Sequence, residues 1–184
     1  MKVIILAGGW GTRLGQHTEW IPKPMVLIGN RPMIWHIMKV YGHYGFRQFI
    51  VSAGVKANAI KEYFLNFETY SNDFTRNFST GETTFHTKEP SVDWQVTVVD
   101  TGLNTEKGAR IKRVENFLTD ENNMITYGDG LADIDIGRLV EFHLSHGKLV
   151  TVTGVHPPAR FGEITETNGL VTAFSGKPQT SVGL

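Results

Sequence analysis

Val3-Ile4-Ile5-Leu6-Ala7-Gly8-Gly9-Trp10-Gly11-Thr12-Arg13-Leu14 begins as a short, β-branched apolar run and breaks at once into glycine. An unalternating run of this kind reads as a strand covered on both faces, which points to a parallel sheet. Similar segments recur at Phe49 to Ser52, Val96 to Val99, Met124 to Tyr127 and Val150 to Thr153, with helical patterns between several of them. Pro32 suits a first helical position, and Met33, Ile37, Val40, Tyr41 and Tyr44 then share one face until Gly45 closes the element. Ile60, Tyr63, Phe64 and Phe67 repeat the pattern after Asn58, and Asp135 caps a third helix with Ile136, Leu139, Val140 and His143 on its inner side. The alternation predicts an α/β domain, a mostly parallel twisted sheet flanked by helices, with any ligand bound beyond the carboxyl ends of the strands.

Composition narrows the function. The chain has 184 residues, 40% hydrophobic and 20% charged, which is the range of one globular domain rather than a disordered or fibrous chain. Eighteen basic and eighteen acidic side chains cancel, so neither a nucleic acid polymer nor a membrane surface is an expected partner, and an anionic ligand must be met by a local cluster. The absence of cysteine removes disulfides, thiolate nucleophiles and Cys-ligated zinc. Val3 to Ala7 is shorter than a signal-peptide core, and no stretch reaches membrane-span length, which makes the cytoplasm the expected compartment.

The turn after the first strand carries the chemistry. Gly8, Gly9 and Gly11 let backbone N–H groups approach an anion, and Arg13 adds a guanidinium fork suited to phosphate. A dinucleotide fingerprint fits poorly, because Leu14 stands where the third glycine belongs and no acid ends the Phe49 to Ser52 strand; a nicotinamide dehydrogenase is thereby disfavoured. A P-loop lacks its Gly-Lys-Ser/Thr. Ten residues beyond Arg13, Lys23 leaves a segment stiffened by Pro22 and Pro24, close enough to share one polyphosphate. Asp129 follows the Met124 to Tyr127 run between glycines, where a carboxylate suits Mg²⁺ and an acidic turn is the plain alternative. Asp133 and Asp135 fail the calcium-loop pattern, and His143-x-x-His146 is better read as helix surface. Residues 65–95 interrupt the alternation with a polar stretch dotted with aromatics, read as a flap or subunit contact, with disorder as the alternative.

Taken together, the Gly8 to Leu14 turn and Pro22-Lys23-Pro24 resemble the signature of the sugar-1-phosphate nucleotidylyltransferases. Val99-Asp100-Thr101-Gly102, Gly108 to Val114, Thr126 to Gly130 and Arg160-Phe161-Gly162 extend the likeness over practically the whole chain. They are most similar to the members that join CTP to glucose 1-phosphate. The resemblance implies a Rossmann-like nucleotidyltransferase fold over residues 1–184, Mg²⁺ held by Asp129, homo-oligomers, and CDP-glucose made for deoxysugars of surface polysaccharide such as O-antigen. It implies Leu6, Gly8, Gly9, Gly11 and Thr12 around base, ribose and phosphates, Arg13 on the leaving pyrophosphate and Lys23 on the reacting phosphates. Thr101 and Gly102 would read the base, and Arg110 and Lys112 would contact phosphate or ribose. Gly128, Gly162 and Lys177 would hold the hexose and its phosphate.

Three features depart from the family pattern. Gly176 stands where a glutamate usually grips sugar hydroxyls, and Ala109 replaces a glycine. Family members also continue past the position of Leu184 into a part with further sugar contacts and a second metal-binding aspartate, so reduced activity is an expectation for this chain. The alternatives are a catalytically incomplete nucleotide-binding or regulatory module, and a transferase that uses dTTP or UTP.

Overall fold

The computed structural model describes residues 1–10, 21–86, 92–119, 121–155 and 163–175, and the chain divides into two units, Met1–Ile136 and Gly137–Leu184. In the first unit β1 (Val3–Ala7) leads to a one-turn 3-10 helix (Lys23–Met25), then β2 (Leu27–Ile28), β3 (Arg31–Pro32) and α1 (Met33–His43). Next come β4 (Gln48–Ala53), α2 (Ala57–Leu65), α3 (Phe67–Ser71), β5 (Asp73–Arg76) and β6 (Thr83–His86). The unit continues with β7 (Gln95–Asp100), α4 (Lys107–Arg113), a 3-10 turn (Glu115–Phe117) and β8 (Met124–Tyr127). The last helix, α5 (Ile136–His146), starts at this unit's final residue, and the second unit holds the antiparallel hairpin β9 (Glu163–Thr167) and β10 (Leu170–Ser175).

Four strands form one parallel sheet in the order β7-β4-β1-β8. The chain runs outward from β1 through β4 to β7 and then returns to the other side of β1, so the order reverses between β1 and β8. Such a reversal is where a ligand crevice is expected at the carboxyl edge of an open α/β sheet. Gly8 follows β1 and Asp129 follows β8, which puts both at that switch point.

Alternation along β1 divides the core. Val3, Ile5 and Ala7 face Ile34, Ile37 and Met38 of α1 together with Ala57 and Ile60 of α2, whereas Ile4 packs with Ile50 and Val114 on the opposite face. Both faces are covered, which is why the strand reads as a continuous apolar run. Pro32 caps α1 rather than opening it, and the inner side of the helix centres on the buried Ile34, Ile37, Met38 and Gly42, with the expected Met33 and Tyr41 partly buried at its border against the same core. Residues 65–86 are ordered as α3 and the β5–β6 hairpin, whose turn is closed by the Asn77 side chain accepting from the Ser79 and Thr80 amides.

In the second unit Val150 to Thr153 does not form the expected strand. Among the described residues nothing pairs with it, so its backbone has no ladder to join, and Val150 and Val152 are exposed. The Thr151 hydroxyl instead lies 2.8 Å from both His143 Nδ1 and His146 Nε2, so the two histidines belong to a local helix-to-loop contact.

Phe49 is among the largest fully buried side chains, whereas Leu65 on α2 is 84% exposed. Urea denaturation should therefore show a loss of about 3–5 kcal/mol for Phe49→Ala and a change within about 0.5 kcal/mol for Leu65→Ala.

Candidate active site

Backbone geometry brings Lys23 and Asp129 together. Pro22 and Pro24 hold the Lys23 segment in a tight turn closed by Met25 N–H to the Pro22 carbonyl at 2.8 Å. Pro24 is buried, and the space beside its ring is left by Gly128, where a Cβ would lie 2.7 Å from Pro24 Cγ. The Gly128 amide donates to the Leu6 carbonyl at 2.9 Å, tying the end of β8 to β1. With Pro24 seated on Gly128, the preceding lysine meets the following aspartate: Lys23 Nζ stands 3.1 Å from Asp129 Oδ2. The lysine side chain is 17% exposed and the carboxylate 42%, so the acid faces outward and the cation lies beneath it.

This pair stands at one wall of a cleft of about 510 Å³ at the carboxyl edge of the sheet. Leu6 to Trp10 form its floor, Leu103 to Lys107 and Arg110 its opposite wall, and Tyr127 its flank. Lys107 Nζ lies 5.3 Å from the Tyr127 ring centroid, which adds a second cation inside the cleft.

Arg110 builds the opposite wall. It is 5% exposed, and its guanidinium donates to the carbonyls of Gly8 (2.9 Å), Ala53 (3.3 Å), Gly102 (2.8 Å) and Leu103 (3.1 Å) and to the Thr101 hydroxyl (2.7 Å). Burial, and then the charge of Arg113, lower its pKa, while Asp100 and Glu106 oppose that shift. The group stays cationic at neutral pH. Glycine is required around it: a Cβ at Gly8 would collide with the guanidinium, and one at Gly54 would meet the same group and lie 2.8 Å from the Gly8 and Gly102 carbonyl oxygens.

Leu6, Gly8, Gly9, Lys23, Arg110 and Asp129 thus converge on one cleft. Other expected residues do not. Thr101 is fully buried, with its hydroxyl donating to the Ala53 carbonyl at 2.5 Å, so its side chain supports the wall instead of reading a base. Gly102, at φ +84°, turns the chain beside Arg113 and lies outside the cleft lining. Lys112 pairs with Glu115 on the solvent side of α4; two residues along a helix is about 200° of rotation, so it cannot share the face of Arg110. Gly128 packs under Pro24 and pairs its amide with the Leu6 carbonyl, and it lies outside the cleft lining. Gly11, Thr12, Arg13, Gly162 and Lys177 lie outside the described residues.

Sequence reasoning missed Lys107, the Leu103 to Glu106 turn and Gly54. A signal existed for the first two. Lys107 is three residues before Arg110 on one helix, hence on the same face, and the turn follows a strand at the carboxyl edge. Nothing local in the sequence marks Gly54, because the group that excludes a side chain there comes from 56 residues away in the chain.

Comparison with known proteins adds a family. Residues 2–183 match the nucleotidyl transferase model. A glucose-1-phosphate cytidylyltransferase of Salmonella typhimurium is 45% identical over 182 residues, 97% of this chain and 70% of the relative. A probable glucose-1-phosphate cytidylyltransferase of Bacillus subtilis is 42% identical, covering 96% of this chain and 69% of the relative. Among solved structures, HddC from Yersinia pseudotuberculosis complexed with GMP-PN superposes with a TM-score of 0.64 at 23% identity, covering 97% of this chain and 70% of that one, a likeness of fold.

The Arg110 staple predicts a particular coupling. All three nearest atoms to a Cβ at Gly8 belong to Arg110, whereas Gly54 also faces two carbonyl oxygens. Gly8→Ala and Arg110→Ala should each destabilise, but in a double-mutant cycle read by urea denaturation their costs should fall short of additivity by about 1 kcal/mol or more. Gly54→Ala should stay costly in the Arg110→Ala background.

Proposed function

The chain belongs to the nucleotidyl transferase family, and on that premise we propose that it transfers the cytidylyl group of CTP to glucose 1-phosphate, releasing pyrophosphate and forming CDP-glucose. The observation that carries the reading is the Lys23–Asp129 pair set against the glycine amides at the switch point of the sheet.

The chemistry asks little of acid–base groups. A phosphate oxygen of glucose 1-phosphate is already ionised at neutral pH and attacks the α-phosphorus; the bond from that phosphorus to the bridging oxygen breaks, and the electron pair leaves with pyrophosphate. Such a reaction needs in-line positioning and cations where charge accumulates. Lys23 is held for this by its proline-stiffened turn and by the carboxylate beside it, and Lys107 and Arg110 add positive potential on the other wall. The Gly8 and Gly9 positions let the triphosphate approach main-chain amides, and the Leu103 to Glu106 turn is the segment proposed to read the base.

Mg²⁺ is the cofactor we propose. Among the described residues no group of three or more His, Cys, Asp or Glu side chains comes together, and the cleft lining offers two carboxylates, Asp129 beside Lys23 and Glu106 on the other wall. That suits a hard cation that takes one or two protein carboxylates and fills its shell with phosphate oxygens and water. When bound, the ion would neutralise phosphate charge. A cytoplasmic enzyme is consistent with the lack, among the described residues, of a helix long and apolar enough to cross a membrane. We further propose that copies associate through the β5–β6 hairpin, where Phe74 and Phe78 are exposed.

Pyrophosphate release with CTP, glucose 1-phosphate and Mg²⁺ tests the proposal. Lys23→Ala and Asp129→Asn should each lower kcat by about 10²-fold or more, with folding intact by circular dichroism. Faster release with dTTP or UTP than with CTP would overturn the base assignment, and undiminished turnover in both variants would overturn the site.

A further inference from the structure

Trp10 follows Gly9 in the turn after β1, on the floor of the 510 Å³ cleft, and is 59% exposed. Among the described residues no ring or cation lies against its indole, whereas Tyr127, the other ring of the cleft, already carries the Lys107 ammonium. Core packing does not account for this position. A tryptophan that serves the core is covered by it, as Trp94 is, half-buried with its ring edge-on to Phe49 at 5.8 Å. Gly9 leaves the neighbouring space open, since a Cβ there would meet nothing within 4 Å beyond the adjoining residues.

Two kinds of surface meet in the cleft. Lys23, Lys107 and Arg110 supply positive charge, while Trp10 and Leu103, the latter 55% exposed, supply apolar area. A groove for phosphates alone needs only the first. Phosphate is repelled by the face of an indole, whose π-system is negative, and goes to the cations instead, so the face is left for a ring. The Leu103 to Glu106 turn, proposed to read the base, lines the same cleft, which makes the base the ring assigned to it. We propose that Trp10 is a substrate-binding residue whose indole stacks on the base of the nucleoside triphosphate, a contact that rests on the transfer reaction proposed above. Stacking asks only for a π-face, which every base has, so Trp10 adds affinity for the nucleoside and leaves the choice among bases to edge contacts from the opposite wall. The stack is the same before and during the transfer, so it acts on KM and not on kcat.

Calorimetric titration of the whole chain with CTP, UTP, inorganic tripolyphosphate and glucose 1-phosphate as separate probes, beside pyrophosphate-release kinetics, tests the stack. Trp10→Ala, checked for unaltered thermal melting, should weaken CTP and UTP alike by about tenfold or more and leave the other two probes within about twofold. KM for CTP should rise by the same factor while kcat stays within about twofold. Trp10→Phe should remain within about threefold of wild type, and Trp10→Leu, apolar but without a π-face, should follow alanine. Undiminished CTP affinity in Trp10→Ala or Trp10→Leu overturns the proposal. Equal losses for CTP and tripolyphosphate also overturn it, making Trp10 a support of the turn, as does a loss confined to glucose 1-phosphate, which would put the hexose on the indole. Trp10-dependent binding of CTP and UTP without pyrophosphate release would leave the stack standing and refute the transfer reaction, and a wild type that binds neither nucleotide would refute both.

Discussion

A single guanidinium holds the candidate site in shape. β1, β4 and β7 end side by side in the sheet, and their terminal carbonyls keep a lone pair to spare even where a backbone amide already binds them, as Val55 does Gly8 and Thr101 does Ala53. Arg110 reaches down from α4 and donates to carbonyls of Gly8, Ala53, Gly102 and Leu103, so three independent loops become one wall. Burying a cation is costly unless hydrogen bonds replace its water, and here the carbonyl dipoles do so. Its hydrogen bonds go to carbonyls and a hydroxyl, so positive potential persists beside the cleft, offset in part by Asp100 and Glu106. Structure and electrostatics are set by one side chain.

That arrangement dictates residue choice at a distance. The guanidinium fills the volume where Cβ atoms of Gly8 and Gly54 would be, so the glycines after β1 and β4 are consequences of an arginine far along the chain. Gly8 was legible in the sequence as a phosphate-loop glycine, and the structure gives it a second duty. Gly54 was not legible, because the constraint on it is non-local. The same distinction separates the other outcomes. Apolar runs disclosed the sheet strands β1, β4, β7 and β8; burial on both faces explains the run in the central β1 and β4, while the edge strands β7 and β8 are only partly buried. The same signal misjudged Val150 to Thr153, since an apolar run becomes a strand only when a neighbour offers hydrogen bonds.

Site residues divide along similar lines. Lys23 and Asp129 could be singled out separately, each by its local backbone: prolines on one side, a strand end between glycines on the other. Their contact depends on Pro24 seating against Gly128, which is visible only in three dimensions. Thr101 and Lys112 were expected from likeness of motif, and the structure buries the first side chain and turns the second to solvent. A residue that begins where β7 ends and hydrogen-bonds to β4 is buried within the sheet edge, and a residue 200° around a helix from Arg110 faces solvent.

Net charge gives the final constraint. With acidic and basic side chains equal in number, long-range attraction for a phosphate ligand averages out, and recognition must come from places where cations are concentrated and partly desolvated. In the first unit the cleft is such a place: backbone carbonyls hold Arg110 and a single carboxylate holds Lys23. A carboxylate partner can be shared with an incoming metal and so suits a site where phosphate bonds break.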